Sequence, residues 1–339
     1  MPQDVEFALP WPLRVNPHLE AARAHNLQWM AAYGFLAAQT ESAYLGWQLA
    51  EVSAYFYPDA SLEGLCLATD VMGWYFTPFD DRFDGPLGQD PPGTARLCAR
   101  LIDVLDGDPP VDVPVVQSFA EIWQRWQRGR STIWCARAAC NWTEYLAVHI
   151  TEAQLRSGHL DGGSETQHMW RRRRSVSSGP LNDLAERAGG FEVPPLAWHS
   201  QILHEMRAVA ADVVSLSNDT ASAEKEARAD DFDNNILLRL RQEGMTDSRA
   251  VTEIQHRTRD LVRHFLTLEE RCVEFARAFP RSSAPPSNVT SSPCTTSCAG
   301  TTTGSGPAAD TSDSDTSRER CRRSTPVIAG HRAGTWSGG

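Results

Sequence analysis

Two stretches, residues 198–228 and 247–279, are long, amphipathic and almost free of glycine and proline. Their apolar residues recur with the period of one helix face, and such helices must bury those stripes against other helices or a sheet. No alternating β-rich segment is present to build that sheet. The remaining signals up to about residue 280 are helical too. Asn16-Pro17 reads as an N-cap with proline at the first helical position, ahead of HLEAARAHNLQWMAAYGFL. Ser118-Phe119-Ala120-Glu121 reads as a capping box opening EIWQRWQRG, with Gly129 as its stop, and residues 181–190 read as a helix ending in glycine. The expectation is an all-α domain over 1–280, roughly ten helices packed as an enlarged bundle.

Beyond Pro280 the composition changes. Arg281 to Gly339 holds no Leu, Phe, Tyr or Met, and Ser, Thr, Gly, Pro and Ala dominate. A segment of that kind buries too little apolar surface to offset chain entropy, so 281–339 is expected to be a disordered tail. The net charge of −11 disfavours a general nucleic-acid binder. No apolar run reaches the ~18 residues of a membrane span. MPQDVEFALPWPLRV lacks the n- and h-regions of a signal peptide, and eight cysteines without framework spacing suit a reducing cytoplasm. Of 32 basic residues only Lys225 is a lysine, and it falls in the most motif-like segment.

Three constellations carry chemistry. In Phe79-Asp80-Asp81-Arg82-Phe83-Asp84, a helix puts Asp80 and Asp84 one turn apart on one face. The crowded carboxylates suit a divalent cation, and all-oxygen ligation points to Mg²⁺ or Mn²⁺; a solvated acidic patch has the same composition. In Asn218-Asp219-Thr220-Ala221-Ser222-Ala223-Glu224-Lys225-Glu226, the residues Asn218, Ser222 and Glu226 share a face at i, i+4 and i+8. An amide oxygen, a hydroxyl and a carboxylate form a hard-cation donor set of low charge, or three polar residues on a wet face. The run Arg171–Arg174 is followed by SVSSGP, which must break a helix. An arginine at such a break can reach inward to a phosphate, whereas a solvated charge run stays outside.

Together with MPQDVEF, FYPDASLEGL and DLAERAGGFEVP, these motifs resemble the bacterial class I terpene cyclases, specifically the sesquiterpene cyclases, over residues 1 to about 280. The resemblance implies the class I helical bundle and a linear prenyl diphosphate substrate, most naturally farnesyl diphosphate, cyclised after metal-assisted loss of diphosphate. It implies three Mg²⁺ ions (or Mn²⁺) on Asp80, Asp81, Asp84, Asn218, Ser222 and Glu226. The family's pyrophosphate-sensing arginine stands 46 residues before the motif asparagine, which is Arg172. Arg156, Lys225 and Arg228 would add diphosphate contacts, and a carbonyl near Val176 at the break would promote ionisation. Phe56, Phe76, Phe79 and Trp74 are candidate aromatic walls for the carbocation, or plain core. Expected partners are the substrate, no nucleic acid and no membrane; the chain is expected as a monomer or homodimer. Two departures stand out: Pro78 falls just before Asp80, and Arg228 is in an altered register. The rival readings are a chain-elongating prenyltransferase, which needs a second aspartate-rich motif, and an inactive helical protein.

The family ends with a helix carrying Arg-Gly-x-x-Asp-Trp and then an Arg-Tyr pair, neither of which follows Phe279. Joining the third base of each codon to the first two of the next permits YDVMRGNYDW from Cys294 to Gly304 and GRY from Ala308 to Thr311. Upstream it permits ERY from Ser287 to Thr290. The expectation is a tail translated in a shifted frame, leaving the domain without its closing helix and one diphosphate arginine.

Overall fold

The helix from Leu62 to Trp74 is apolar on nearly every side, and that decides its place. Leu65, Leu67, Ala68, Val71, Met72 and Trp74 are all buried, so it runs through the middle of the largest core with other helices around it. Ser61 caps it by accepting from the Gly64 N–H. The computed structural model describes residues 5–83, 85–228 and 232–277. Among these no strand occurs. In chain order the helices are α1 (Leu19–Ala32), α2 (Glu41–Gly46), α3 (Leu49–Phe56), α4 (Leu62–Trp74), α5 (Asp81–Phe83), α6 (Pro91–Leu105), α7 (Pro114–Gln127), α8 (Thr132–Arg156), α9 (Glu165–Ser175), α10 (Ser178–Gly189), α11 (Pro195–Trp198), α12 (Gln201–Arg228), α13 (Ile236–Gln242) and α14 (Asp247–Arg277). The all-α expectation holds, with more segments than the ten or so expected because several are only a turn or two long. The tail, its reading frame and Asp84 lie outside the described residues.

α4 packs against α1, α3, α7 and α10, and α6 lies along α8. Gly73 permits the close approach of α1 and α2: a Cβ there would stand 2.6 Å from the Tyr44 hydroxyl. The long helices α12 and α14 pack along each other, and Val5, Phe7, Leu9 and Trp11 lie over their apolar surface. No helix among the described residues is long and apolar enough to cross a membrane.

Two local expectations are corrected. The helix holding Ser118 begins at Pro114, not at a capping box, because proline pre-sets the first turn four residues earlier. Ser118 is buried inside it and donates to the Val115 carbonyl, while Glu121 accepts from Trp29 and Arg125. Asn16 does not cap directly: α1 starts at Leu19 behind His18, and Asn16 ties the entry by accepting from the His18 N–H and donating to the Tyr57 and Ala60 carbonyls. The one-turn spacing of Asp80 and Asp84 falls outside the described residues, but the stretch leading up to Asp80 is not α-helical. Tyr75–Asp80 forms a π-helical turn around Pro78, whose ring nitrogen has no proton to give the regular ladder. The other signals hold: α10 ends at Gly189 with Gly190 left-handed, and the SVSSGP break falls between Ser175 and Ser178.

Buried charges staple the helices. Asp70 on α4 accepts from Asn26 of α1 and Arg125 of α7. On α10, Asp183 and Glu186 share Arg137 of α8, while Asn141 adds a bond to Asp183 and Trp134 one to Glu186. The DLAERAGGFEVP motif is therefore a clamp between α8 and α10, closed by the Val193 N–H on Glu186.

Burial, opposed by Arg137, pushes the Asp183 carboxyl up from the ordinary 3.8 to about 7. The folded chain then holds a proton that the unfolded chain releases near pH 4, so this contribution to stability is complete below about pH 4 and is lost as pH rises through about 7. Asp183→Asn should remove it: melting temperatures measured from pH 4 to 7 should fall less steeply in the variant than in the wild type, and parallel curves would contradict this assignment.

Candidate active site

α9 opens with a capping box, Ser164 and Gln167, and its buried face carries His168, Arg171 and Arg172. The Arg172 Nη2 group donates to Asn218 Oδ1 at 2.9 Å and to Asp219 Oδ1, both on α12. Its Nη1 donates to Ser175 Oγ at 3.1 Å, on the last residue before the break. Its buried Nε has no protein acceptor. Asp219 also accepts from the Ile236 N–H at 2.8 Å, which fixes the start of α13, and the buried His168 Nε2 stands 3.8 Å away. Burial works against the Asp219 charge, but Arg172, His168 and the Ile236 N–H outweigh it and hold the carboxyl below its usual range. Two predicted residues 46 positions apart, Arg172 and Asn218, are thus in direct contact.

Asn218, Ser222 and Glu226 follow at helical spacing along α12. Ser222 donates to the Asn218 carbonyl, and Glu226 accepts from Asn235 at 2.6 Å. Burial first, then Asp219, pushes the Glu226 carboxyl up to about 7. An ionised Glu226 beside Asp219 therefore lacks sufficient positive charge, and a cation bound to this oxygen-rich face would supply it; the residues fit a hard divalent ion. Among the described residues no three His, Cys, Asp or Glu side chains form a ready-made cluster, so the donors on α12 are of mixed type. Asp80 closes the π-helical turn and Asp81 opens α5, with Asp81 exposed. Asp80 lies within electrostatic range of Tyr75 and Tyr145. Lys225 and Arg228 are exposed, and Arg228 lies 3.5 Å from Glu224 one turn back, away from the Arg172 knot.

A second buried knot runs along α8. Glu152 lies 3.5 Å from His149 Nδ1 and 3.7 Å from Arg156 Nη2. Burial would raise its pKa, but His149, Arg156 and Arg172 together hold it far below the usual carboxylate range. Glu152, Asp219, His149 and Asn235 did not stand out in the sequence. The one local signal was the four-residue step from Glu152 to Arg156, the spacing of a helical ion pair.

Of the aromatic candidates, Phe79 stacks on Trp74 at 4.6 Å and meets Phe83, Tyr145 and His149 edge-on or tilted. Both Phe79 and Trp74 are fully buried, in packing roles. Phe56 and Phe76 are only partly buried against the same core. The break itself is shaped by Ser177, a buried non-glycine residue at φ +55°, between the carbonyl of Val176 and the start of α10.

The family model described as terpene synthase family 2, C-terminal metal binding, matches residues 70–264. Pentalenene synthase of Streptomyces exfoliatus is 36% identical over 271 residues, covering 79% of this chain and 80% of that protein. R-linalool synthase of Streptomyces clavuligerus is 36% identical over 280 residues, 81% of this chain and 84% of that protein. Among solved structures, wild-type cucumene synthase superposes with a TM-score of 0.72 at 40% identity, covering 81% of this chain and 90% of that one.

Removing Asp219 tests the knot. Asp219→Ala leaves Arg172 a buried cation without its counter-ion, and should cost about 3–5 kcal/mol of stability. Asp219→Asn, which keeps an acceptor, should cost less. Urea midpoints within experimental error of the wild type for both variants would show that the ion pair contributes nothing.

Proposed function

The chain belongs to the bacterial class I terpene synthases, and from that membership we propose that it ionises and cyclises farnesyl diphosphate to a sesquiterpene, releasing diphosphate. The observation that carries the reading is Arg172, bonded at once to Asn218 on the metal-binding face and to Ser175 at the helix break.

Asp80 and Asp81 on one side and Asn218, Ser222 and Glu226 on the other would hold Mg²⁺, three ions by family expectation, which when bound supplies Lewis-acid neutralisation of the diphosphate oxygens. Arg172 binds the same diphosphate, with its unpaired Nε as one available donor. Arg156 and Lys225 add positive charge, and Glu152 and Asp219 hold the guanidiniums in position before the substrate arrives. Ser175 couples Arg172 to the break, where the Val176 carbonyl would face the carbon that becomes cationic. Phe76 and Phe56, less enclosed than Phe79, are the aromatic faces available to line the pocket. The apolar wall keeps water from the cation. The names of the relatives span several products, so the product depends on the pocket's contour.

Incubation with farnesyl diphosphate and Mg²⁺, followed by hexane extraction and gas chromatography, should yield a cyclic hydrocarbon or alcohol, and EDTA should abolish it. Asn218→Ala should lower kcat by about a hundredfold or more without unfolding the domain. Undiminished turnover in that variant would remove α12 from the mechanism. Arg172→Lys should weaken diphosphate inhibition as well as turnover, because an ammonium lacks the planar fork that matches two phosphate oxygens at once.

A second reading, impaired turnover of this chain as translated, is favoured by the family-like shifted frame after Phe279. A chain with the frame restored near codons 280–287 should cyclise faster. Equal rates, or a stop codon in the shifted frame before the Arg-Tyr codons, would dispose of it.

A further inference from the structure

The four consecutive arginines divide. Arg171 and Arg172 are buried toward the site, whereas Arg173 and Arg174 line a separate cavity of about 380 Å³ behind the break. Its walls come from α8, α9, the start of α10, the segment around Trp198, and the first half of α12. None of Asp80, Arg172, Asn218, Ser222 or Glu226 lines it.

Its charge is unbalanced. Three guanidiniums, Arg173, Arg174 and Arg207, face one carboxylate, Glu144, in a chain whose net charge is −11. Arg173 is paired with Asp212, and Arg174 lies 3.4 Å from Glu144. No carboxylate among the described residues pairs with Arg207; its Nη2 donates to the Trp198 carbonyl at 2.8 Å. Its guanidinium stands 3.9 Å from the centre of the Trp198 ring, and that of Arg137 stands 3.7 Å from the same centre. At those distances the two cations must occupy opposite faces of one indole. Arg137 takes the direct ion pairs of Asp183 and Glu186, which reach Arg207 only through space, so Arg207 is the cation with no carboxylate in contact. Burial, then Arg137, pushes Arg207 down to about 10 against the pull of Asp183 and Glu186. Ala208 and Ala211 keep the α12 wall low, and His199 and His204 also line the cavity.

We propose that this cavity is a second oxyanion site, distinct from the catalytic one, which takes a phosphate or diphosphate group with Arg207 as principal donor. A guanidinium fork matches phosphate oxygens in pairs. The positive charge comes from side chains, so binding here needs no divalent ion, unlike binding at the metal-dependent site.

Isothermal titration of the full chain in EDTA, with inorganic diphosphate and separately with inorganic phosphate, tests this. Saturable binding is expected, weakened about tenfold or more in Arg207→Gln, the factor for one charge-assisted hydrogen bond. His204→Ala, at an exposed position, should weaken it less and provides a second variant should Arg207→Gln fail to fold by circular dichroism. Arg172→Lys should leave it unchanged. Binding of diphosphate alone would identify the ligand as the released leaving group, and binding of both a general phosphate site. No saturable binding to the wild type, binding indifferent to Arg207→Gln and His204→Ala, or binding lost only in Arg172→Lys would overturn the proposal.

Discussion

Arg172 carries a permanent positive charge into a space closed to water, and the helices around it are arranged to make that tolerable. Removing one member of such a pair leaves a bare buried charge, so the contact acts more as a constraint on geometry than as a source of stability. Nη2 is committed to Asn218 and Asp219, and Nη1 to Ser175. α9 can neither slide nor rotate against α12 without breaking several charge-assisted bonds together. Through the Ile236 N–H the same carboxylate also fixes where α13 begins. The positions of the Asn218–Glu226 face, proposed above to bind metal, and of the break are therefore not independent.

The same arrangement recurs away from the proposed site. Arg125 spans Asp70 and Glu121, and Arg137 spans Asp183 and Glu186. Each guanidinium joins acceptors through separate nitrogens, a task for a planar fork and not for a single ammonium. The near absence of lysine, which by itself suggests only codon bias, thus coincides with a bundle held by two-acceptor arginine contacts. Trp134 and Trp198 add aromatic surface to the Arg137 cluster, so the apolar and ionic parts of that contact are continuous.

What was legible in the sequence had a local cause. The 3.6-residue period marked α12 and α14, the Ser-Gly-Pro run marked the break, and Asn218, Ser222 and Glu226 shared a face by spacing, whereas Arg172 was singled out only by the family resemblance. What was not legible depended on partners distant in the chain. Nothing near Asp183 indicates that Arg137 is its counter-ion, 46 residues earlier. Ser118 and Glu121 satisfy a capping pattern, but Pro114 starts the helix first. Phe79 stands next to the aspartates and so suggested a substrate wall, yet Trp74, five positions back, covers its face only because the turn between them is wider than an α turn.

That wide turn has a consequence for how the chain tolerates change in length. A π turn accommodates one residue more than the α turn it replaces. Deleting one residue between Tyr75 and Phe79 would let the turn relax to the ordinary α pitch while the residues after it keep their place around the axis, whereas the same deletion in a regular helix would turn them by about 100°. The segment therefore works as a length buffer: it takes up an extra residue at the end of a helix that is apolar on all sides without turning the aspartates that follow out of phase with it.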